Sequence, residues 1–460
     1  MCDVSNGSKS DSLESFLLLL AKETRRLLDR FERQGRATKV EVPQLRARVE
    51  QFQYEEGVRS YGVDHELHEK LEWDRRFVDM LVEDIRMHPA HSQSIQSISG
   101  RIDASADHVG FLLDKFVRAL VSKAVEEPIT DEVILEHVLH FTRDIEVLPT
   151  EWKVTAWLDG VWLREDQSIQ IEDNTMLRRP APLDLEMEYT INVPTVSSLF
   201  MGTPARGMPS AVLEMQVICK DQNAAKQQVD QTVTILRLFK LGSISYSLVR
   251  YSPKSVLRPT MAAYTSSVVD ALYKYGVSKD VELALRDFVR VMKPLLPADT
   301  WEAARSTDPL SIALSRYIDA LVKPSSVESR ITSAITCLEA LFLKPQERGE
   351  LSLRLSLRVA ALLRYFGFKP LEVRSKVSLA YNIRSAFVHG SATKEKAKLS
   401  AVELCGLLLE YSRVSLQIFY QLKHRLPKER LIDKLDHSLI DRVAYIDLKE
   451  ELSEGILAIR

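Results

Sequence analysis

Arg384-Ser385-Ala386-Phe387-Val388-His389, followed directly by Gly390, sets a guanidinium and an imidazole five positions apart at the end of a helical pattern. Those two groups suffice for metal-free chemistry on a phosphodiester. The guanidinium offers fixed positive charge to a phosphoryl group, and the imidazole moves a proton near neutral pH. Spacing alone is not specific, because Arg86 and His91 repeat it, but Pro89 between them breaks a continuous helix. Asn382, Ser385 and His389 recur at helical spacing as a polar stripe, and Leu379, Ile383 and Phe387 form an apolar stripe expected to pack on neighbouring helices. On such a helix Arg384 is rotated well away from His389. The two heads meet if the long Arg side chain reaches around, or if a second copy of the helix supplies the partner, which favours a two-fold dimer. Gly390 supplies the helix stop. The helix dipole at that end favours imidazolium, and a nearby guanidinium opposes it. The alternative is structural: a histidine that caps free carbonyls, and an arginine paired with a carboxylate such as Glu339.

The elements that must position this pair are spread over 460 residues, enough for two or three domains, with 45% hydrophobic and 27% charged residues. The longest apolar run, Phe16 to Ala21, is far too short to span a membrane. Met1-Cys2-Asp3-Val4 lacks a basic segment leading into an apolar one, which argues against a signal peptide. Cys2, Cys219, Cys337 and Cys405 are far apart and read as reduced thiols of a cytoplasmic protein. There is no Gly-rich phosphate loop and no HExxH. His65 with His68 and His137 with His140 lack a third ligand, so neither metal nor cofactor is expected. Residues 301–430 hold 21 Lys and Arg against 12 Asp and Glu, whereas the rest of the chain holds 41 against 52. A basic part joined to an acidic remainder reads either as a polyanion surface beside the Arg/His pair or as two parts that attract each other.

Along the chain, residues 1–145 read as a helical region of unknown role. Asp11 and Glu14 have capping-box spacing ahead of the stripe Phe16, Leu17, Leu20, Leu27, Leu28 and Phe31. Val58 to Met87 reads as a second, charged stretch of that region, and Ala106 to Ala124 as a further helix. Residues 146–262 read as a mixed α/β, strand-rich domain. Asp159-Gly160 predicts a hairpin between Val154–Leu158 and Val161–Leu163. Leu185 to Val193 and Ala211 to Cys219 alternate as strands, Asp221 caps a helix, and Ile244, Tyr246 and Leu248 mark another strand. Trp152, Trp157 and Trp162 fit core or cross-strand positions better than a base-stacking surface. Residues 263–428 read as a bundle of helices with short connections, and residues 429–460 as a charged tail in which Leu431 and Ile432, with Leu426, dock back. The fold class expected is α+β and multidomain, predominantly α.

Tyr381-Asn382-Ile383-Arg384-Ser385-Ala386-Phe387-Val388-His389-Gly390 resembles the signature of the HEPN superfamily, in its Apea-like branch. So do Arg330-Ile331 through Leu338-Glu339-Ala340-Leu341-Phe342 and Glu347-Arg348-Gly349-Glu350-Leu351-Ser352. The resemblance covers about residues 265–425. It extends weakly to Ala156-Trp157-Leu158-Asp159-Gly160 and Leu177-Arg178-Arg179-Pro180. It implies a C-terminal HEPN helical bundle, a homodimer, and a metal-independent endoribonuclease in which Arg384 and His389 are catalytic. Asn382, Ser385, Glu339 and Tyr381 would support them. The 2′-hydroxyl of RNA would attack the adjacent phosphorus, leaving a 2′,3′-cyclic phosphate and a 5′-hydroxyl. The implied setting is prokaryotic anti-phage defence or stress response, with the acidic regions sensing a protein or phage-derived trigger. Ser385 stands where many members carry Asn, Asp or His. The alternative is therefore a HEPN module that binds RNA or protein, or dimerises, without cutting.

Overall fold

The computed structural model describes residues 7–55, 58–100, 105–146, 150–164, 168–185, 187–190, 209–254, 260–264, 273–297, 306–323, 325–390, 400–457 and 459. The protein is mixed α+β, with helix predominating. Helix α1 (Gly7–Arg33) buries Leu13, Leu17, Leu20, Leu27, Leu28 and Phe31 at helical period. It starts before Asp11, so the expected capping box lies inside the helix. Its buried stripe packs with α2 (Arg75–Arg86), α3 (Pro89–Ser99), α4 (Ala106–Lys123) and α5 (Asp131–Glu146) around a core of its own, from Leu13 to Ile145.

A wholly helical N-terminal region is corrected by a long antiparallel hairpin, β1 (Lys39–Glu55) and β2 (Val58–Trp73). The reason is visible in β1: Val40-Glu41-Val42 alternates at period two, and Pro43 would break a helix interior. His65 and His68 therefore lie on a strand, not on a helix face. At the base of the hairpin, Lys39 pairs with Trp73, its ammonium 4.7 Å from the indole centre.

The central sheet has six strands. They are β3 (Thr150–Asp159), β5 (Ile169–Glu172), β6 (Thr175–Arg178), β8 (Ala211–Cys219), β9 (Ser245–Pro253) and β10 (Met261–Tyr264), in the order β10-β9-β3-β8-β6-β5. Asp159-Gly160 is not a hairpin turn: β4 (Val161–Leu163) leaves the sheet and pairs in parallel with β11 (Tyr275–Val277). Gly160 sits at φ +85, and a Cβ there would meet the Ser243 carbonyl oxygen at 2.5 Å, so no larger residue fits. Leu185 ends a short helix, α6 (Pro182–Leu185), and the following strand β7 (Met187–Thr190) joins β1 rather than the central sheet; Ile191 and Val193 lie outside the described residues. Trp152 is core, its indole N–H donating to the Cys219 carbonyl at 3.2 Å, while Trp157 and Trp162 are half-buried. Asp221 caps α7 (Gln222–Phe239) as its spacing predicts, accepting from the Ala224 N–H.

Beyond a 3₁₀ turn come α8 (Glu282–Met292), α9 (Pro309–Val322), α10 (Val327–Phe342), α11 (Leu351–Leu363), α12 (Pro370–Val388) and α13 (Ala401–Leu422). Their buried residues and those of the sheet form one continuous cluster, from Trp152 to Leu452. Polar groups cross the seam. The carbonyl end of α7 accepts hydrogen bonds from Arg413 (2.7 Å to Leu238, 3.0 Å to Phe239) and from Gln417 (2.6 Å to Leu238), satisfying orphan acceptors of a helix terminus.

The last segment is no extended tail. It folds as α14 (Lys428–Ser438) and α15 (Arg442–Gly455), with Leu426, Leu431 and Ile432 buried as expected. Sequence reading missed its anchor. Arg358, 2% exposed, forks between Glu347 (2.7 Å) and Asp436 of α14 (2.8 Å). The Arg358 hydrogen bonds hold the Glu347 carboxyl down to about 2. Removing Arg358 leaves Glu347 with its longer 3.3 Å contact to Arg354 and takes the guanidinium from the half-exposed Asp436, so Arg358→Ala should cost about 3 kcal/mol in urea unfolding, the low end for a broken buried pair. A carboxyl whose folded value is depressed stabilises above its unfolded value and loses that contribution as pH falls toward the folded one. Between about pH 4.5 and 2 the Tm of wild type should therefore fall more steeply than that of Glu347→Gln.

Candidate functional site

The site is built on α12. Pro370 stands in its first turn, following the left-handed Gly367 (φ +86) that ends the preceding 3₁₀ turn. Its buried residues Val373, Val377 and Ala380 fall at i, i+4 and i+7, and the next position of that stripe is Arg384. The guanidinium is thereby turned inward, toward Glu339 on α10. The closest approach is 3.6 Å, longer than a hydrogen bond, so the pair attracts without a formed N–H···O link. Arg384 Nε is buried without a hydrogen-bond partner, and Cζ lies 5.8 Å from the Tyr381 ring centre. The Arg384 and Glu339 side chains retain 29% and 18% of their exposure, so neither is sealed from solvent.

Electrostatics follow from that placement. Burial pushes the Glu339 carboxyl above its ordinary value, and Arg384 opposes the shift. The Tyr381 phenol is raised too, by burial first and by the negative charge of Glu339 second. The structural alternative read from sequence, Arg384 facing Glu339, is thus the arrangement found within one chain. Among the described residues no hydrogen bond or ion pair joins Arg384 to His389. The two lie about 140° apart around a helix of 3.6 residues per turn.

His389 is the C-cap of α12. Its backbone N–H donates to the Ser385 carbonyl at 3.0 Å, and its side chain is exposed. Gly390 takes φ +66, the left-handed stop that its identity predicts, with open space where a Cβ would stand. Asn382 is exposed and Ser385 half-buried. The expected apolar stripe needs one correction: Leu379 and Ile383 are half-buried against the core, but Phe387 is 49% exposed. Phe387 to Gly390 are all exposed, because the last turn of α12 stands clear of the packed helices.

Sequence reasoning missed a groove of about 490 Å³ beside this helix, lined by Arg348, Glu350, Ser352, Arg374, Ser378 and Tyr381 among others. The available signal was the spacing of Arg374, Ser378, Tyr381, Ser385 and His389, which share one face of α12 at intervals of four, three, four and four. A second hollow of about 510 Å³, between Leu295, Asp308, Tyr420 and Lys428, is larger but has none of these α12 residues in its wall. Among the described residues no three His, Cys, Asp or Glu side chains cluster as metal ligands. No described helix is long and apolar enough to cross a membrane.

No protein-family model matches the chain, and comparison with curated proteins and with solved structures gives no match either.

The coupling of Glu339 to Arg384 has a measurable sign. Because the guanidinium lowers the carboxyl and burial raises it, Arg384→Ala should move the Glu339 titration midpoint further up. Carboxyl ¹³C NMR reads this directly. An unchanged midpoint would mean that the 3.6 Å pair carries no electrostatic coupling.

Proposed function

We propose that the protein is a metal-independent endoribonuclease of the HEPN kind, working as a homodimer in which the α12 helices of two subunits line one cleft. The observation that carries this reading is the state of Arg384. Its Nε has no hydrogen-bond partner, and its facing carboxylate stays 3.6 Å away, while His389 is exposed at the end of the same helix. A guanidinium held by attraction rather than by a closed bidentate link is ready to exchange Glu339 for a phosphoryl oxygen. In the reaction, the ribose O2′ forms a bond to the adjacent phosphorus and the P–O5′ bond breaks. His389 moves a proton to or from these oxygens, and Arg384 carries the charge gathering on the phosphoryl oxygens. Glu339 and Tyr381 position the guanidinium. Ser385, one turn before His389, offers a hydroxyl that donates and accepts. The acidic N-terminal and sheet regions restrain the site or sense a protein or phage-derived trigger, by analogy of architecture alone.

A second reading is a module that binds RNA or protein without cutting. It is favoured by two observations: Arg384 already faces an intramolecular carboxylate, and Phe387 and Val388 present apolar surface at 49% and 55% exposure beside His389. Such a surface suits a second copy or a protein partner.

The experiment is incubation with RNA in excess chelator. Wild type should yield 5′-hydroxyl and 2′,3′-cyclic phosphate ends and leave the corresponding DNA intact, since DNA lacks the 2′-hydroxyl. His389→Ala and Arg384→Ala should each lower the rate by at least about 100-fold, the scale of a lost general acid–base or charge-stabilising group. Equal cleavage by all three proteins rejects the assignment. RNA binding that persists in all three without new ends selects the second reading.

A further inference from the structure

From the groove beside Tyr381 we infer a binding track for single-stranded RNA that leads to His389, formed by Arg348, Arg374, Ser378, Tyr381 and Ser385; the RNA assignment rests on the function proposed above. The groove is about 490 Å³, and two of its lining residues, Arg348 and Arg374, are exposed guanidiniums. Among the described residues neither has a carboxylate partner, whereas Arg354 and Arg358 nearby in sequence are both paired to Glu347. Arginines without an internal acid are the ones free to take phosphates. Tyr381 is half-buried and lines the groove. Its ring carries Arg384 5.8 Å from its centre, so one residue joins the groove to the proposed catalytic guanidinium. An aromatic face between cationic groups is the arrangement that accepts an unstacked base without regard to sequence. The face continues past the groove. From Arg374 to His389 it runs about 22 Å at 1.5 Å per residue, room for a stretch of several nucleotides. Among the described residues Glu350 is the one acidic group in the groove wall. It opposes phosphate, and it can accept a hydrogen bond from a ribose hydroxyl or a base amino group. A double helix is disfavoured, because its bases are not available to stack on Tyr381.

The test uses the full chain and a fluorescein-labelled 12-nucleotide, 2′-O-methylated RNA of mixed sequence, which binds but lacks the attacking hydroxyl. Fluorescence anisotropy should show Arg348→Gln/Arg374→Gln binding at least tenfold more weakly than wild type. The slope of log K against log salt should become shallower by about 1.4, since each phosphate contact to a single strand contributes about 0.7. Tyr381→Leu should weaken binding about tenfold with the slope unchanged, the mark of stacking rather than charge. Arg290→Gln, an exposed arginine on α8, should leave binding unchanged. The inference is overturned if wild type does not bind at 100 µM protein, if the double variant binds as wild type, or if Arg290→Gln weakens binding equally. It is also overturned if the double variant changes only the oligomeric state in sedimentation, which would assign the groove to a protein partner. Binding that depends on the two arginines in a protein that does not cut unmodified RNA keeps the track and removes the nuclease.

Discussion

Arg384 stands on the side of α12 that faces the other helices, and Glu339 on α10 is the group that meets it. Two helices cannot pack an isolated guanidinium between them without a large desolvation penalty. The carboxylate offsets part of it at 3.6 Å, and the residual exposure of both side chains offsets more. The buried stripe Val373, Val377 and Ala380 fixes the rotation of α12 about its axis, and this contact accommodates the charge that the rotation brings inward. With Val373, Val377, Ala380 and Arg384 turned inward, Arg374, Ser378, Tyr381, Ser385 and His389 must turn outward. The guanidinium at the seam and the imidazole at the surface are thus two consequences of a single helix orientation. Because each is reached from a different side, a ligand that touches both has to come to the end of the helix, where Phe387 to Gly390 are exposed.

The rest of the C-terminal half holds that orientation in place. Helix α13 packs on both α10 and α12. Through Arg413 and Gln417 it is also bonded to the carboxyl end of α7, so the sheet and the helix bearing the site share one core. On the other flank, Arg358 draws α14 onto α11 by a buried fork between Glu347 and Asp436. Such a pair adds little over an apolar replacement, but losing one partner leaves the buried Arg358 guanidinium short of a counter-charge.

The two Arg/His matches of equal spacing show how little a spacing says without its helix. At Arg86 and His91 the chain bends at Pro89, where α2 ends and α3 begins, and only His91 turns into the interior of the N-terminal unit, while Arg86 stays exposed. Arg86 pairs with Asp114 there, and His91 is buried with its Nε2 unpartnered and its pKa lowered by desolvation. A neutral, enclosed imidazole is a packing group. At Arg384 and His389 the helix is unbroken, and the imidazole stays in solvent.

Local chemistry was enough for much of this. The C-terminal helices, the Asp221 cap, the Gly390 stop and the burial of Leu431 and Ile432 follow from period, capping groups and φ preference, which act over a few neighbouring residues. Even the Arg384–Glu339 approach was among the alternatives, because both residues occupy definable faces of definable helices. Long-range partners were beyond it. The β1–β2 hairpin showed its alternation locally but not its pairing, β7 chose β1 over the central sheet, and Asp159-Gly160 became an exit from a sheet where a turn was expected. Strand partners are selected by what else must be buried, and no window of sequence contains that information. The groove shared by Arg348 and Tyr381 is of the same kind: its walls come from separate helices, so only their packing makes it one surface.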